Sequence, residues 1–374
     1  MATDYHSSLL SRGFMARPSR ALIDLSALRQ NYRLACNLAP NSRNIAVVKA
    51  NAYGHGAETV ARTLETDVPA FAVAYMEEAL KLRAFGISKP ILVMEGFFTE
   101  GELPLAVEHN FWLMIENPTQ VETLTAAKLK HPVTVWLKID TGMHRLGAAL
   151  DRASSLFERL ESSANVNTGI VFASHFACAD ELQNDFTNQQ IQQLRQLARR
   201  HKAPLSMANS PALLAWPQSH GDWNRPGYML YGSSPFFHHH EQGDKLTPVM
   251  SFESQVISLR EVSKGDTVGY GATWKAERAS VIATIPVGYG DGYPRNAPSG
   301  TPVLVNGQMA PLAGRVSMDL ITVDVTAVPH VAIGTKVELW GKQLGVNHVA
   351  SAAGTIGYEL LTRMPARLPR VYIS

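Results

Sequence analysis

The chain has 374 residues, with 34 Lys+Arg against 32 Asp+Glu, a formal charge of +2 and 45% hydrophobic residues. At about 150 residues per domain this leaves room for two or three globular domains, and the near-zero charge gives no electrostatic reason to expect a nucleic-acid or membrane-surface binder. Only 18% of residues are charged, below the ordinary figure of about 25%, which points to surface covered by a partner subunit.

Residues 1–17 carry neither a basic segment directly after Met1 nor a long apolar core. They read as an N-terminal extension, with Met15 as an alternative start. No run reaches the about 18 apolar residues of a membrane helix, so the expected location is the cytoplasm. Cys36 and Cys178 are the only cysteines, which excludes a disulfide framework or a thiolate metal cluster.

Continuous apolar runs then recur: IAVVKA (45–50), FAVAY (71–75), ILVME (91–95), FWLMI (111–115), TVWLKID (134–140), GIVFASH (169–175) and PLSMAN (204–209). They do not alternate, as expected of parallel strands covered on both faces. Helices are expected over 57–66, 76–85 and 181–200, the last with Leu182, Phe186, Ile191, Leu194 and Leu197 along one stripe. An eighth strand candidate lies near 226–231, and eight βα units favour a closed (β/α)8 TIM barrel. Beyond about residue 248 the segments PVMSFESQVISLREV, GDTVGYGATW, ASVIATIPVGYGDG, TPVLVNGQMAPLAG, SMDLITVDVT and TKVELWG predict short strands between Gly, Asp and Pro turns, hence a C-terminal, mainly antiparallel β domain.

Polar residues follow the predicted strand ends, where barrel chemistry sits: Lys49, Asp140 to Arg145, His175, Asn209 and Ser210. The strongest local signal is AVVKANAYGHG (46–56). A lysine at the end of a buried strand loses hydration, which favours its neutral, nucleophilic amine and suits Schiff-base chemistry with an aldehyde cofactor. Taken alone, Lys49 could equally extend from the strand end into water. The triplet His238, His239 and His240 between the two domains reads as a solvated linker, and Asp140 and Asp185 have no spacing that would pair them for hydrolysis. There is no GxxxxGK[ST] or GxGxxG run, and no metal site is expected.

AVVKANAYGHG resembles the pyridoxal 5'-phosphate attachment segment of the alanine racemase family, which belongs to the fold-type III pyridoxal-phosphate enzymes. LKIDTGMHRLG (137–147), ANSPA (208–212), NRPGYMLYG (224–232), VGYGATW (268–274), GYGDGYPR (288–295), GRVSMD (314–319) and GTIGYE (354–359) resemble family segments in family order. The resemblance implies a barrel over 18–248 holding the cofactor, a β domain over 249–374, and a homodimer whose active sites each borrow residues from the neighbour's β domain. It implies that Lys49 links the cofactor covalently and shares proton transfer with Tyr270 of the other subunit. Inversion at a carbon requires a base on one face and an acid on the other. Lys49 and Tyr270, with ordinary pKa values of about 10.4 and 10, each need a tuned environment for that work.

By the same resemblance Arg225 meets the pyridine nitrogen of the cofactor and is held by His175. An arginine can only donate there, which leaves the nitrogen unprotonated and disfavours transamination or decarboxylation. The phosphate would be met by Tyr53, Ser210, the backbone N–H groups of Gly227 and Tyr228, and the Tyr358 hydroxyl, with Asn209 orienting its neighbours. The substrate carboxylate would meet Arg145 and the backbone N–H of Met318. Lys138 is a candidate for carbamylation, which would make it an anion pairing with Arg145. Tyr289, Asp291, Arg295, Arg315 and Ile356 would line the access corridor. Ser317 stands where the family commonly has cysteine, and Tyr228 where it has a smaller aliphatic residue. The expected activity is interconversion of L- and D-alanine, for peptidoglycan supply or catabolism. The alternatives are a broad-specificity racemase acting on serine, lysine or arginine, an amino-acid decarboxylase, and a cofactor carrier without turnover.

Overall fold

The computed structural model describes residues 17–374. The N-terminal extension expected over 1–17 therefore lies outside the described residues except for Arg17. The described residues form two compact units: 17–23 join Met250–Ile373, and Asp24–Val249 make the other. The N-terminal segment departs from the expectation that the barrel begins at residue 18. Strand β1 (Arg20–Asp24) buries Ala21 and Ile23 on one face and pairs antiparallel with Met250–Gln255, so it completes a sheet of the C-terminal unit.

In the Asp24–Val249 unit the strands are β2 (Arg43–Asn44), β3 (Ala46–Val47), β4 (Phe71–Val73), β5 (Ile91–Val93), β6 (Phe111–Ile115), β7 (Val135–Asp140), β8 (Ala148–Ala149), β9 (Val171–Ala173), β10 (Leu205–Ser206) and β11 (Trp223–Asn224). Their order is β2-β11-β10-β9-β7-β6-β5-β4-β3, with β8 a side branch on β7, and these strands pair in parallel. Only Ile45 separates β2 from β3, so one interrupted strand begins and ends the path. Ile45 N–H donates to Asn224 O (2.9 Å) and Ala46 N–H to Ala70 O (3.3 Å). The sheet is thus a closed barrel of eight strands. The eighth is Trp223–Asn224, whereas 228–231, expected as strand, is a 3-10 turn (Tyr228–Tyr231).

Helices alternate with these strands over Leu25–Leu38, Ala57–Leu64, Met76–Ala84, Glu102–Glu108, Pro118–Ala126, Leu150–Glu161, Phe186–His201 and Ser210–Ala215. Asp24 caps the first by accepting from Ala27 N–H (3.0 Å), satisfying a donor that the helix start leaves free. The helix expected over 181–200 starts only at Phe186, so Leu182 is exposed rather than on the buried stripe. The barrel end opposite Lys49 is plugged by Trp112, Trp136 and Trp223, whose ring centroids lie 5.5–6.3 Å apart. Arg43 covers Trp223 at 3.9 Å, a cation–π contact that closes the plug.

The other unit is built from antiparallel pairs, of which residues 267–275 and 302–311 form short hairpins. One sheet contains β12 (Met250–Gln255), paired with β1 and with Lys336–Trp340. Next come β13 (Ser258–Val262), the small hairpin β14 (Thr267–Val268) and β15 (Trp274–Lys275), then β16 (Ser280–Ile285), β17 (Pro302–Val305), β18 (Gln308–Pro311), β19 (Ile321–Asp324), β20 (Lys336–Trp340) and β21 (Arg370–Ile373). The β17–β18 turn is Asn306–Gly307 with φ +51° and +74°, the left-handed pair that a two-residue hairpin needs. Among the described residues no helix is long and apolar enough to cross a membrane.

Candidate active site

The barrel gathers one cluster at the C-terminal ends of its strands. Lys49 follows β3, and the chain then makes a left-handed turn: Ala50, Asn51, Ala52 and Tyr53 all have φ between +50° and +55°. Each left-handed residue costs about 1–2 kcal/mol, so the surroundings must offset it. Glu78 does part of this, accepting from Ala50 N–H (2.6 Å) with one carboxylate oxygen and from Ala74 N–H (2.8 Å) with the other. His55 does more: its Nδ1 meets the carbonyls of Tyr53 (2.8 Å) and Ala52 (3.1 Å), and since carbonyls only accept, Nδ1 carries the proton. Gly54 ends the turn at φ +82°. Consecutive strained residues beside one lysine mark a constrained functional position.

Burial lowers the Lys49 amine below its ordinary value, with Arg145 and Arg225 adding to the shift and Glu95 and Glu78 opposing it. The neutral nucleophile is therefore more available than in water. Arg225, after β11, is buried. Its Nη1 donates to Ser206 O (2.9 Å) and Ser206 Oγ (2.5 Å), and its Nη2 to Ser174 O (2.6 Å) and Met207 O (3.3 Å). Nε–H is the guanidinium donor that these bonds leave over. Burial lowers Arg225 to about 10, which still keeps it charged near neutrality. The bond expected between Arg225 and His175 is not present among the described residues: the Nη1 and Nη2 donors go to three backbone carbonyls and the Ser206 hydroxyl instead.

His175 lies beside these cations. Burial, then Arg225, Arg145, Lys49 and Lys138, hold it well below the ordinary imidazole value, so it is neutral at physiological pH. The sign of the consequence is fixed: the unfolded chain takes up a proton near 6.5 while the folded chain does not, so stability falls as pH drops through that value. Melting temperatures at pH 7.5 and 5.5 should therefore differ less in His175→Gln than in the parent. An equal acid loss in both would remove His175 as a contributor.

Ser210, after β10, is buried, and its Oγ accepts from Gly227 N–H (3.0 Å) and Met229 N–H (3.2 Å). The Gly227 N–H, expected to face a phosphate, is thus turned onto Ser210, whose hydroxyl hydrogen remains to donate. A Cβ on Gly227 would lie 2.7 Å from Tyr53 Oη, so only glycine lets this hydroxyl approach the 225–229 backbone. Tyr231 stacks on Tyr53 at 4.8 Å between centroids and donates to Val47 O (2.9 Å). Asn31 ties the Tyr228–Tyr231 turn down through Leu230 O (3.1 Å). Tyr228 is buried. Asn209 caps the Ser210–Ala215 helix by accepting from Ala212 N–H (3.2 Å).

The DTGMHRLG segment is organised by Asp140, which accepts from Gly142 N–H (2.9 Å), His144 N–H (3.1 Å) and His144 Nδ1 (2.9 Å). Burial pushes this carboxyl up, but those bonds hold it below the usual range. Arg145 at the tip is exposed and has no hydrogen bond or ion pair among the described residues, leaving its guanidinium open to an anion. Lys138, on β7, is buried with Glu116 at 3.7 Å and Glu95 at 3.9 Å. Burial lowers its amine despite both carboxylates, and burial raises the Glu116 carboxyl. Glu78, Glu95 and Glu116 are missed by the sequence reading. Their signal is an acid directly after an apolar strand run, as in ILVME and FWLMIE, or at the start of the helix that follows.

In the β unit, Tyr270 is 70% exposed. It follows β14, in a turn with positive φ at Gly269, Gly271 and Ala272, and a Cβ on Gly271 would lie 3.3 Å from Arg315 Nη1. Tyr289, Arg295, Arg315 and Ile356 are exposed, and Tyr358 lies on the Gly357–Thr362 helix. Met318 is 52% exposed. Its carbonyl accepts from Gly290 N–H (2.9 Å), and its own N–H has no partner among the described residues. Asp291 departs from expectation: its side chain is fully buried between Arg17 and Arg367, so it cannot line a corridor. The histidine triplet holds no metal-binding group among the described residues. His240 stacks on Phe236 at 4.1 Å and His239 pairs with Asp244.

Comparison with known proteins agrees across the length of the chain. The family profiles described as "Alanine racemase, N-terminal domain" and "Alanine racemase, C-terminal domain" match residues 23–235 and 249–372. The alanine racemase of Chromohalobacter salexigens is 49% identical over 358 residues, covering 96% of this chain and 98% of that protein. A Pseudomonas putida protein named catabolic alanine racemase is 48% identical over 358 residues, covering 96% and 99%. The crystal structure of biosynthetic alanine racemase from Pseudomonas aeruginosa matches with a TM-score of 0.92 at 48% identity, covering 96% of this chain and all of that one. By these matches, on top of the barrel and its lysine–arginine cluster, the chain belongs to the alanine racemase family.

Proposed function

We propose that the protein interconverts L- and D-alanine with pyridoxal 5'-phosphate as cofactor, in a homodimer with shared active sites. The observation that carries the reading is the pairing of Lys49, held at a strand end by a strained turn, with Arg225, whose leftover donor is Nε–H. A guanidinium donor suits an unprotonated ring nitrogen, and a lysine amine lowered by burial suits covalent attachment through Nζ. When bound, the cofactor acidifies the α-hydrogen of the attached amino acid by withdrawing electrons.

The chain's own residues supply the rest. Lys49 Nζ links the cofactor and moves a proton on one face of the α-carbon. The Tyr270 hydroxyl of the partner subunit moves it on the other. Ser210 Oγ–H, Tyr53, the Tyr228 N–H and Tyr358 bind the phosphate. Arg145 and the partner's Met318 N–H bind the substrate carboxylate. Lys138 is the candidate for carbamylation, since its lowered amine is the form that captures carbon dioxide. Burial raises the Glu116 carboxyl beside it, which favours its neutral form next to an added anion. Tyr289, Arg295, Arg315 and Ile356 face the access corridor. Exposure of Tyr270, Tyr289, Met318, Leu320 and Ile356 supports a covering subunit, because large apolar side chains gathered on one unit favour burial by a partner.

Formation of D-alanine from L-alanine, compared with turnover of serine, lysine and arginine, tests the reading. Alanine should be fastest, with serine slower, since a pocket separates substrates by only about 1–3 kcal/mol per methylene. Equal turnover of lysine would assign a broad-specificity racemase instead, and carbon dioxide release matching substrate loss would assign a decarboxylase.

A further inference from the structure

We propose that Asp291 and Arg367 are positioning residues for the Met318 N–H, clamping two loops of the β unit so that this donor is held ready for a carboxylate. This rests on the reading of Met318 as a substrate-binding donor. The first loop is Gly288–Asp291 and the second is Ser317–Asp319. Their backbones already meet: Tyr289 N–H donates to Ser317 O (3.0 Å) and Gly290 N–H to Met318 O (2.9 Å). A Cβ on Gly288 would lie 2.3 Å from Met318 O and Ser317 O, so the approach is possible only with glycine at that position.

Two backbone bonds on an exposed loop are open to competition from water. What holds them is charge. Asp291 Oδ2 accepts from Gly288 N–H (3.1 Å), closing the first loop on itself. Its Oδ1 meets Arg17 Nη1 (2.7 Å) and Arg367 Nε (2.9 Å). Arg367 then reaches the second loop through Nη2 to Asp319 Oδ1 (2.6 Å). One guanidinium therefore spans both loops with its fork, which a lysine's single nitrogen cannot do. Asp291 is fully buried, so losing either arginine would leave a desolvated charge short of partners. The carbonyl of Met318 is fixed by this arrangement while its N–H has no partner among the described residues, which is what a preorganised donor requires. Arg17 extends the clamp to the segment just before β1.

The test uses the cofactor-loaded homodimer carrying Arg367→Ala, Arg367→Lys or Asp319→Asn, with amide hydrogen exchange at Tyr289 and Gly290 measured beside the kinetics. Asp319→Asn changes an exposed residue and cuts only one arm, so it guards against a failure of Arg367→Ala to fold. Arg367→Ala should raise KM for L-alanine about ten-fold with kcat within about two-fold, the signature of lost uniform binding. It should also speed exchange of both amides. Arg367→Lys should recover part of each effect, and Asp319→Asn should show a smaller rise in KM. Unchanged exchange and unchanged KM in Arg367→Ala and Asp319→Asn would overturn the clamp. Faster exchange with unchanged KM would instead show that the loops loosen without consequence for substrate, and the reading of Met318 would fall. A fall in kcat with KM unchanged would also overturn the proposal.

Discussion

Lys49→Ala should abolish racemisation and leave no covalent cofactor. General acid–base catalysis alone contributes about 10²–10⁴-fold, and this substitution removes the attachment point as well, so the loss should exceed that range. The check is borohydride reduction of the cofactor-loaded protein followed by peptide mass analysis. The parent should carry a reduced adduct on the 46–56 segment, and the variant should carry none. Lys138 is the built-in competitor: it is buried at the same barrel end, and burial lowers its amine too. An adduct on Lys138 in the parent would transfer the role from one lysine to the other. The strained turn argues for Lys49. Four left-handed residues are retained directly behind it, whereas Lys138 lies within an ordinary strand.

Tyr270→Phe should keep the adduct on Lys49 and lose the L-to-D rate by about 10²–10⁴-fold, since only one of two proton-transfer groups is missing. The ring remains, so packing around the β14–β15 turn should change little. Exchange of the α-hydrogen with solvent deuterium should continue for one enantiomer, because Lys49 still works on its own face. An unchanged racemisation rate would remove Tyr270 from the mechanism. Mixing the Lys49→Ala and Tyr270→Phe proteins under conditions of subunit exchange gives a second check. A hybrid dimer contains one site with both groups intact, so activity should reappear. If it does not, the two groups are not contributed by different chains.

Much of this was legible in the sequence for definite physical reasons. Strands buried on both faces write themselves as unbroken apolar runs, and each of the first seven runs contains a barrel strand. Lys49, Arg145, His175 and Ser210 stand out in the sequence as candidates because strand ends in a barrel point to one place. The eighth strand escaped because Trp223–Asn224 has only two residues, while the neighbouring YMLY is apolar enough to imitate a strand although Gly227 starts a 3-10 turn there. The left-handed turn could not be read from KANAY, since alanine gives no sign of positive φ; glutamate and histidine contacts made elsewhere impose it. Asp291 was misplaced because a buried carboxylate and an exposed one look alike until their arginines are known, and Arg17 and Arg367 are 274 and 76 residues away in sequence.

The interrupted strand β2–β3, first and last in the barrel, also bears on when Lys49 gains its surroundings during folding. Lys49 follows a strand whose other edge is satisfied by Asn224 and Pro226, on the far side of the barrel sequence. Pairing over such a separation comes late, after nearer contacts have shortened the loop that must close. Until Trp223–Asn224 docks, Lys49 has neither its dry surroundings nor Arg225. A ribosome-bound chain that has emerged only through the seventh strand would thus hold an ordinary, hydrated lysine. Barrel closure is therefore the step that gives this amine its dry surroundings and its neighbouring arginine, the two features on which the proposed attachment at Lys49 depends.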